Sequence, residues 1–192
     1  MKRQQLLLLL ILIALPCLTS CGGGNAASSR VDDGDSLALR YAENLTIVDG
    51  KDYSVVTVRN PWDTTRILHT YVLLPKDGPV PGNLPAGTVV RVPLTSALVY
   101  SSVHNSLLSE IGASSAITGV CDAQYIHEPG LRKRIDSGDI VDCGNSSSPD
   151  IEKIIALSPG AVILSPFENS NGYGKLSQIG IPIVECADYM ET

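Results

Sequence analysis

Apolar and polar residues alternate in three short segments between residues 30 and 88, and this two-residue period predicts β-strands. The three segments are residues 45–48, 53–58 and 66–74. An Asp49-Gly50 pair separates the first two, and this dipeptide favours the tight turn of a hairpin. Residues 75–85 contain four prolines and two glycines, which predicts a loop. Residues 30–88 are therefore expected to form a small, strand-rich antiparallel extension.

From residue 89 onward, short apolar runs alternate with segments that have the period of helices. Strands are predicted over residues 89–94, 116–120, 140–142, 161–164 and 181–184, and helices over 103–111, 129–137, 173–179 and from 149 onward. This alternation indicates an α/β fold with a mostly parallel five-stranded sheet that helices cover on both faces. The expected domain comprises residues 89–192.

Two of these helices carry apolar stripes that we expect to be buried. The stripe of the first helix comprises Val103, Leu107, Leu108 and Ile111. The stripe of the third helix comprises Ile151, Ile154 and Ile155. Ser148 is the expected N-cap of that third helix, with Pro149 in its first position. Glu152 points away from the stripe by helical geometry, so its carboxylate is expected to be exposed.

Loops at the carboxyl ends of parallel strands form the ligand-binding edge of such sheets. In this sequence those loops are residues 95–101, 121–127, 143–147, 165–173 and 186–190. The candidate ligand-binding residues are Ser96, Tyr100, Asp122, Tyr125, Asn145, Phe167 and Glu168. Aromatic rings and small polar groups together suit a binding surface. The alternative is that each polar residue only satisfies its own turn.

The amino terminus has the parts of a secretory signal, which the sequence places in residues 1–20. Lys2 and Arg3 give a positive start, and residues 6–15 form an apolar run too short to span a bilayer. The alternative is a signal anchor that stays uncleaved.

The signal ends in Leu-Thr-Ser-Cys at residues 18–21, which resembles the bacterial lipoprotein processing box. The resemblance implies a lipid anchor, such as palmitate, on Cys21. It places the protein at a membrane of the cell envelope, facing the periplasm, with residues 21–29 as a flexible tether.

Charge argues against one class of partner. The leader holds two of the 14 basic residues and none of the 20 acidic ones, so its removal makes the chain more acidic. Nucleic-acid binding needs a basic face, so we expect no nucleic-acid partner.

Three cysteines remain beyond Cys21, namely Cys121, Cys143 and Cys186. Cys121 and Cys143 follow two different strands at one sheet edge, and we hypothesise a disulfide between them. Three free thiols are the alternative. Histidines do not lie at metal-ligand spacing from the cysteines, so neither a metal nor a cofactor is expected.

The sequence lacks the G-x-S-x-G, P-loop and G-x-G-x-x-G motifs, so we expect that the protein is not an enzyme. One alternative is an envelope enzyme with thiol chemistry at Cys121 or Cys186, for which a depressed thiol pKa beside a base would be the sign. Another is a structural lipoprotein that binds a protein through residues 30–88. We assign no chemical role to His69 or His104 from the sequence.

Residues 91–184 resemble the amino-terminal lobe of periplasmic binding proteins that deliver metal chelates to ABC importers. The matching segments are RVPLTS at 91–96, LSEIGA at 108–113, ITGV at 117–120, PDIEKIIALSP at 149–159, AVIL at 161–164 and IGIPIV at 179–184. The resemblance implies a Rossmann-like lobe and a ligand that is a siderophore-bound iron, haem or cobalamin. It implies an ABC permease as a partner, with Glu152 matching the docking glutamate, and a cleft-lining role for Tyr125.

That family places its ligand between two lobes that one long helix joins. This sequence stops at Thr192, about where the joining helix would begin. We therefore expect the chain to be a fragment that lacks the second lobe.

Overall fold

The computed structural model describes residues 34–167 and 173–190, apart from the side chain of Asp188. The expected signal, Cys21 and Glu168 lie outside the described residues. Within the described part of the chain, the backbone forms two five-stranded sheets, one short two-stranded pair and three α-helices.

The first sheet contains five strands in chain order. They are β1 (Asp35–Ser36), β2 (Leu45–Asp49), β3 (Ser54–Arg59), β4 (Ile67–Pro75) and β5 (Thr88–Val92). The first four strands pair antiparallel. Gly50 donates its backbone N–H to the Tyr53 carbonyl at 3.1 Å between β2 and β3. The predicted hairpin at Asp49-Gly50 is therefore confirmed.

The strand β5 pairs parallel to β4. The strand predicted over residues 89–94 thus forms, but its expected place in the parallel sheet is wrong. A parallel pairing needs a crossover of about a dozen residues, and the proline-rich loop over residues 76–87 supplies that length. Val90 packs with Val58 and Tyr71 in the core of the first sheet, which holds β5 there.

The second sheet contains the strands β6 (Ala97–Val99), β7 (Ile117–Val120), β8 (Val141–Asp142), β11 (Ala161–Leu164) and β12 (Ile183–Glu185). It is parallel throughout, with the strand order β12-β11-β6-β7-β8 from one edge to the other. The strands β9 (Gly144–Asn145) and β10 (Ser148–Pro149) form the short antiparallel pair. The predicted α/β class and five-stranded parallel sheet are confirmed. The strand β6 lies in a segment predicted as a loop, because three residues are too few to show a period.

Each of the three described helices begins at a side-chain cap. The helices are α1 (Ser102–Glu110), α2 (Pro129–Asp136) and α3 (Ile151–Leu157), capped by Ser101, Glu128 and Asp150. Ser148 lies in β10, so its predicted role as the cap of α3 is wrong. Asp150 takes that role because its Oδ1 accepts from the backbone N–H groups of Glu152 and Lys153, both at 3.1 Å. A 3-10 helix, Gly174–Gln178, replaces the α-helix predicted over residues 173–179.

The helix α1 turns a different face to the core from the one that its apolar pattern predicts. Three members of the predicted stripe are exposed: Val103 by 56%, Leu107 by 45% and Ile111 by 76%. Leu108 packs against the core, and His104 and Asn105 are buried on the same side. The Asn105 Nδ2 donates to the Ser101 carbonyl at 2.9 Å, which pairs the donor half of this buried amide.

Helices cover both faces of the parallel sheet, as predicted. On one face, Leu108 of α1 and Leu131 of α2 pack over the sheet core. On the other face, Ile154 of α3 is fully buried, whereas Ile155, expected in the same stripe, is 55% exposed. Among the described residues, the helices are all too short or too polar to cross a membrane.

Candidate functional site

A cavity of about 530 Å³ opens at the carboxyl ends of the parallel strands. Its walls come from the segments that follow β6, β7, β8 and β11. The lining residues are Tyr100, Ser101, Ser102, Asp122, Tyr125, Ser146, Ser147, Leu164, Ser165, Phe167 and Tyr173. The position agrees with the rule that parallel sheets bind ligands beyond the carboxyl ends of their strands.

The structure brings together most of the described residues that the sequence singled out. Tyr100, Asp122, Tyr125 and Phe167 line this cavity. Asn145 is connected to this group, since its Nδ2 donates to Asp122 Oδ1 at 3.1 Å. These residues were selected because they lie in loops that follow strands, and four such loops meet at this cavity.

Ser96 does not join this group. It precedes β6, so it lies at the amino end of the strand and therefore at the opposite edge of the sheet. Its Oγ is 2.7 Å from Thr118 Oγ1, and the two hydroxyls satisfy each other. Ser96 was expected at the cavity because residues 89–94 were predicted to form the first strand of the parallel sheet, whereas that strand is β6. Glu168 lies outside the described residues.

Several serines of the cavity were missed from the sequence, namely Ser101, Ser102, Ser146, Ser147 and Ser165. Ser146, Ser147 and Ser165 stand in loops that were correctly selected, so their proximity to Asn145 and Phe167 was the available signal. Ser101 and Ser102 belong to the start of α1, where serine is also expected for capping alone.

Asp122 ties two walls of the cavity together. Its backbone has φ 51°, a left-handed conformation that aspartate tolerates better than most residues. Asn145 and Ser146 both donate to its carboxylate, and its own N–H donates to the Gly144 carbonyl at 2.8 Å. These hydrogen bonds hold the loops after β7 and β8 against each other.

Two aromatic rings stand exposed at the rim of the cavity. Tyr125 is 63% exposed and Phe167 is 69% exposed, and each follows a different strand. Tyr125 is carried outward by the 3-10 turn Ala123–Tyr125. Exposed rings beside serine hydroxyls give a large apolar contact area for a flat or ring-bearing ligand.

Tyr100 lines the cavity, while its hydroxyl is buried. The Tyr100 oxygen is buried and has no hydrogen-bond partner among the described residues. Burial raises the pKa of Tyr100, and the neighbouring thiols of Cys121 and Cys143 raise it further, so the hydroxyl stays protonated at neutral pH. A second cavity of about 540 Å³, which Lys175 also lines, shares Tyr100 and Tyr173 with the first.

Cys121 and Cys143 are free thiols in the structure, so the hypothesised disulfide is not formed there. Continuing the β7–β8 register by one residue places the two cysteines side by side on neighbouring parallel strands. Neighbouring strands lie about 4.8 Å apart, which falls within the Cα separations of about 4.4–6.8 Å that disulfides span, so the two thiols are close although they are not bridged.

The chemistry of these thiols is that of core residues. Burial raises the pKa of Cys121 to about 12 and the pKa of Cys143 to about 11. A thiolate nucleophile needs a lowered pKa, so the raised pKa of Cys121 argues against the alternative of an enzyme with thiol chemistry at this residue. Among the described residues, no group of three or more His, Cys, Asp or Glu side chains is placed to hold a metal ion.

Glu152 lies in the first turn of α3, outside both cavities, and is exposed as the helical geometry predicts. Its backbone N–H is used by the Asp150 cap, while its side chain faces solvent. A carboxylate in this position is available to a partner.

Comparison with known proteins adds one relative. No family model matches the sequence. The chain is 25% identical, over 176 aligned residues, to an uncharacterized lipoprotein of Methanocaldococcus jannaschii. The match covers 80% of this chain and 42% of that protein, so the chain spans about two fifths of the length of this relative.

Proposed function

We propose that this chain is a ligand-binding lobe, Rossmann-like in type, of a lipid-anchored substrate-binding protein that serves an ABC importer. The proposed ligand is a chelate: siderophore-bound iron, haem or cobalamin. The observation that carries the proposal is the cavity at the carboxyl edge of the parallel sheet, where hydrogen bonds to Asp122 connect two of its loops.

The lining of the cavity favours binding over catalysis. Tyr125 and Phe167 offer ring faces, and the serine hydroxyls offer hydrogen bonds to the polar periphery of a chelate. The nearby thiols are buried and protonated, so they supply no nucleophile. A large ligand with an apolar face and a polar rim suits this combination.

The proposed location is the cell envelope, with the lipid on Cys21. The signal pattern supports this proposal, as does the similarity to a protein described as a lipoprotein. In cells that process lipoproteins, Cys21→Ser should move the protein from the membrane fraction to the soluble fraction. Cys186→Ser is the matched control and should leave it membrane-bound.

Calorimetric titration tests the ligand. Cyanocobalamin, haemin and a ferric trihydroxamate are added separately to the purified protein. One of them should bind, and Tyr125→Ala should weaken that binding by about tenfold because a stacking ring is lost. Tyr41→Ala removes a comparably exposed tyrosine that does not line the cavity, and should leave the affinity unchanged. Absence of binding by all three compounds would contradict the proposal.

Permease docking through Glu152 has a separate test. Glu152→Arg reverses a rim charge, which should impair uptake without changing ligand affinity. Glu110→Arg makes the same change at an exposed site on α1 and serves as the control. Uptake in cells that carry the whole gene is the measurement, and equal uptake by both variants would contradict the role of Glu152.

A further inference from the structure

Three side chains form a hydrogen-bonded line on the side of the first sheet that meets β12. Thr88 Oγ1 lies 2.8 Å from His69 Nε2, and His69 Nδ1 lies 3.0 Å from Glu185 Oε2. The three residues come from β5, β4 and β12, and they are far apart in the sequence. A hydroxyl, an imidazole and a carboxylate in this order are the signature of an activated nucleophile with an oriented base.

Glu185 is fixed by its surroundings. It is 8% exposed, Tyr173 donates to its Oε1, and its backbone N–H donates to the Tyr71 hydroxyl at 2.8 Å. Burial by itself raises the pKa of Glu185, but hydrogen bonds from His69 and Tyr173 outweigh that effect and lower it overall. The side chain is therefore a carboxylate at neutral pH, although it is almost entirely buried.

The carboxylate and a neighbouring ring together orient His69. Because Glu185 can only accept at His69 Nδ1, the proton of a neutral imidazole lies on Nδ1 and the Nε2 lone pair faces Thr88. The ring of Tyr71 stacks on His69 at 4.5 Å between centroids and 18° between planes, which limits rotation of the imidazole.

A cavity of about 640 Å³ lies beside this line and is bordered by all three residues. Its other walls include the apolar side chains of Leu68, Val89 and Ile183. Thr88 and His69 are partly exposed there, so a substrate can reach the hydroxyl. Thr88 lies on β5, which is an edge strand of its sheet.

We propose that this cluster is an acyl-transfer site in which Thr88 is the nucleophile, His69 is the general base and Glu185 is the positioning residue. The substrate class is an ester of a carboxylic acid with an apolar chain, which matches the apolar walls. This activity goes beyond the proposed chelate binding and uses a different cavity; Tyr173 is the residue that the two cavities share.

The reaction balances without an oxidant or a reductant. Thr88 Oγ bonds to the ester carbonyl carbon while its proton passes to His69 Nε2, and the carbonyl π electrons move to oxygen. Collapse of the tetrahedral intermediate breaks the bond to the alkoxy group, which leaves as an alcohol with the proton from His69. Water then attacks the acyl-threonine by the same route, releasing the acid and restoring Thr88.

The test combines covalent labelling with turnover. A fluorophosphonate should add once to the wild-type protein, and peptide mass mapping should place the adduct on Thr88. Hydrolysis of p-nitrophenyl butyrate should fall at least about 100-fold in Thr88→Val, which keeps the side-chain shape, and in His69→Gln. Thr88→Ser should keep the activity, because the nucleophilic oxygen remains. Glu185→Gln should lower kcat with little change in KM, as expected for a positioning residue.

His127→Gln removes an exposed histidine elsewhere and controls for background catalysis by surface imidazole. Its rate should equal that of the wild-type protein. An adduct that maps away from Thr88, or hydrolysis by Thr88→Val as fast as by His127→Gln, would overturn the proposal. Absence of any adduct on folded wild-type protein would overturn it as well.

Discussion

The side-chain amide of Asn145 donates to the carboxylate of Asp122, with 3.1 Å between Nδ2 and Oδ1. The two residues follow β8 and β7, which are neighbours in the parallel sheet. Ser146 donates to the other carboxylate oxygen, so Asp122 accepts hydrogen bonds from two consecutive residues that follow β8. This junction turns two separate loops into one preformed wall of the candidate ligand site.

Asp122→Ala should destabilise the protein by about 1–3 kcal/mol. The substitution leaves the Asn145 and Ser146 donors without their acceptor and puts alanine in a left-handed conformation. Urea unfolding measures the free energy. Asp77→Ala, at an exposed loop position, is the control and should stay within about 0.5 kcal/mol of the wild-type protein. Equal stabilities for both variants would show that the junction does not hold the loops.

Two adjacent isoleucines of α3 should respond differently to truncation. Ile154→Ala should cost about 2–5 kcal/mol, because the side chain is fully buried between α3 and the sheet. Ile155→Ala should cost less than about 0.5 kcal/mol, because that side chain is 55% exposed. Thermal or urea unfolding of the pair measures the difference. Similar losses would mean that α3 packs in another orientation.

The sequence predicted the parallel sheet well because its buried strands are short apolar runs that alternate with helical segments. Ala161–Leu164 is such a run, and it forms a strand at the expected place. The pairing partner of Thr88–Val92 could not be read in the same way. A strand's own pattern shows that it is buried, whereas the choice between two sheets depends on contacts such as Val90 with Tyr71.

The orientation of α1 also escaped prediction. Leu107 and Ile111 fit an apolar stripe, yet His104 and Asn105 occupy the buried side. An isolated hydrophobic pattern cannot show that the Nδ2 of a buried amide such as Asn105 donates to the Ser101 carbonyl. Polar groups that are satisfied inside the fold become visible only when the backbone around them is known.

Most of the candidate site followed from one rule about strand ends, and the Thr88–His69–Glu185 line did not. Asp122 and Tyr125 directly follow a predicted strand, so their position at the carboxyl edge could be derived. His69 and Glu185 are 116 positions apart in the sequence and meet only because the two sheets pack together. A hydrogen-bonded line of this kind carries no local sequence signal.

Acid should weaken the protein through Glu185. Its pKa is lowered in the folded state, so its contribution to stability is fully present above the ordinary value of 4.5. That contribution is lost as the pH falls below 4.5 through the lowered folded-state pKa. Glu185→Gln should be less stable than the wild-type protein by about 1–3 kcal/mol between pH 5 and 7, and the difference should shrink in more acidic solution.

Urea unfolding across this pH range measures the effect of Glu185→Gln. Glu110→Gln, at an exposed position, should follow the wild-type curve throughout. A gap between Glu185→Gln and the wild-type protein that stays constant down to the most acidic solution would contradict the ionised state of Glu185.

The cysteines should differ in their reactivity toward a thiol reagent. A chain that starts at residue 22 carries Cys121, Cys143 and Cys186. At pH 8 the half-buried Cys186 should react with a chromogenic disulfide reagent first, because burial raises the pKa of the other two thiols to about 12 and about 11. All three should react after unfolding without reductant. A count of one after unfolding would show that Cys121 and Cys143 are joined in a disulfide.

Hydrogen–deuterium exchange with added chelate would locate the ligand site, because a bound ligand slows exchange in the segments that it covers. Cyanocobalamin, haemin and a ferric trihydroxamate are each added to the protein, and exchange is followed by mass spectrometry. One of them should slow exchange in the segments around the carboxyl-edge cavity, namely residues 100–102, 121–126, 144–148 and 164–167. Protection confined to the first sheet, or no protection by any of the three, would contradict the assignment of this cavity as the ligand site.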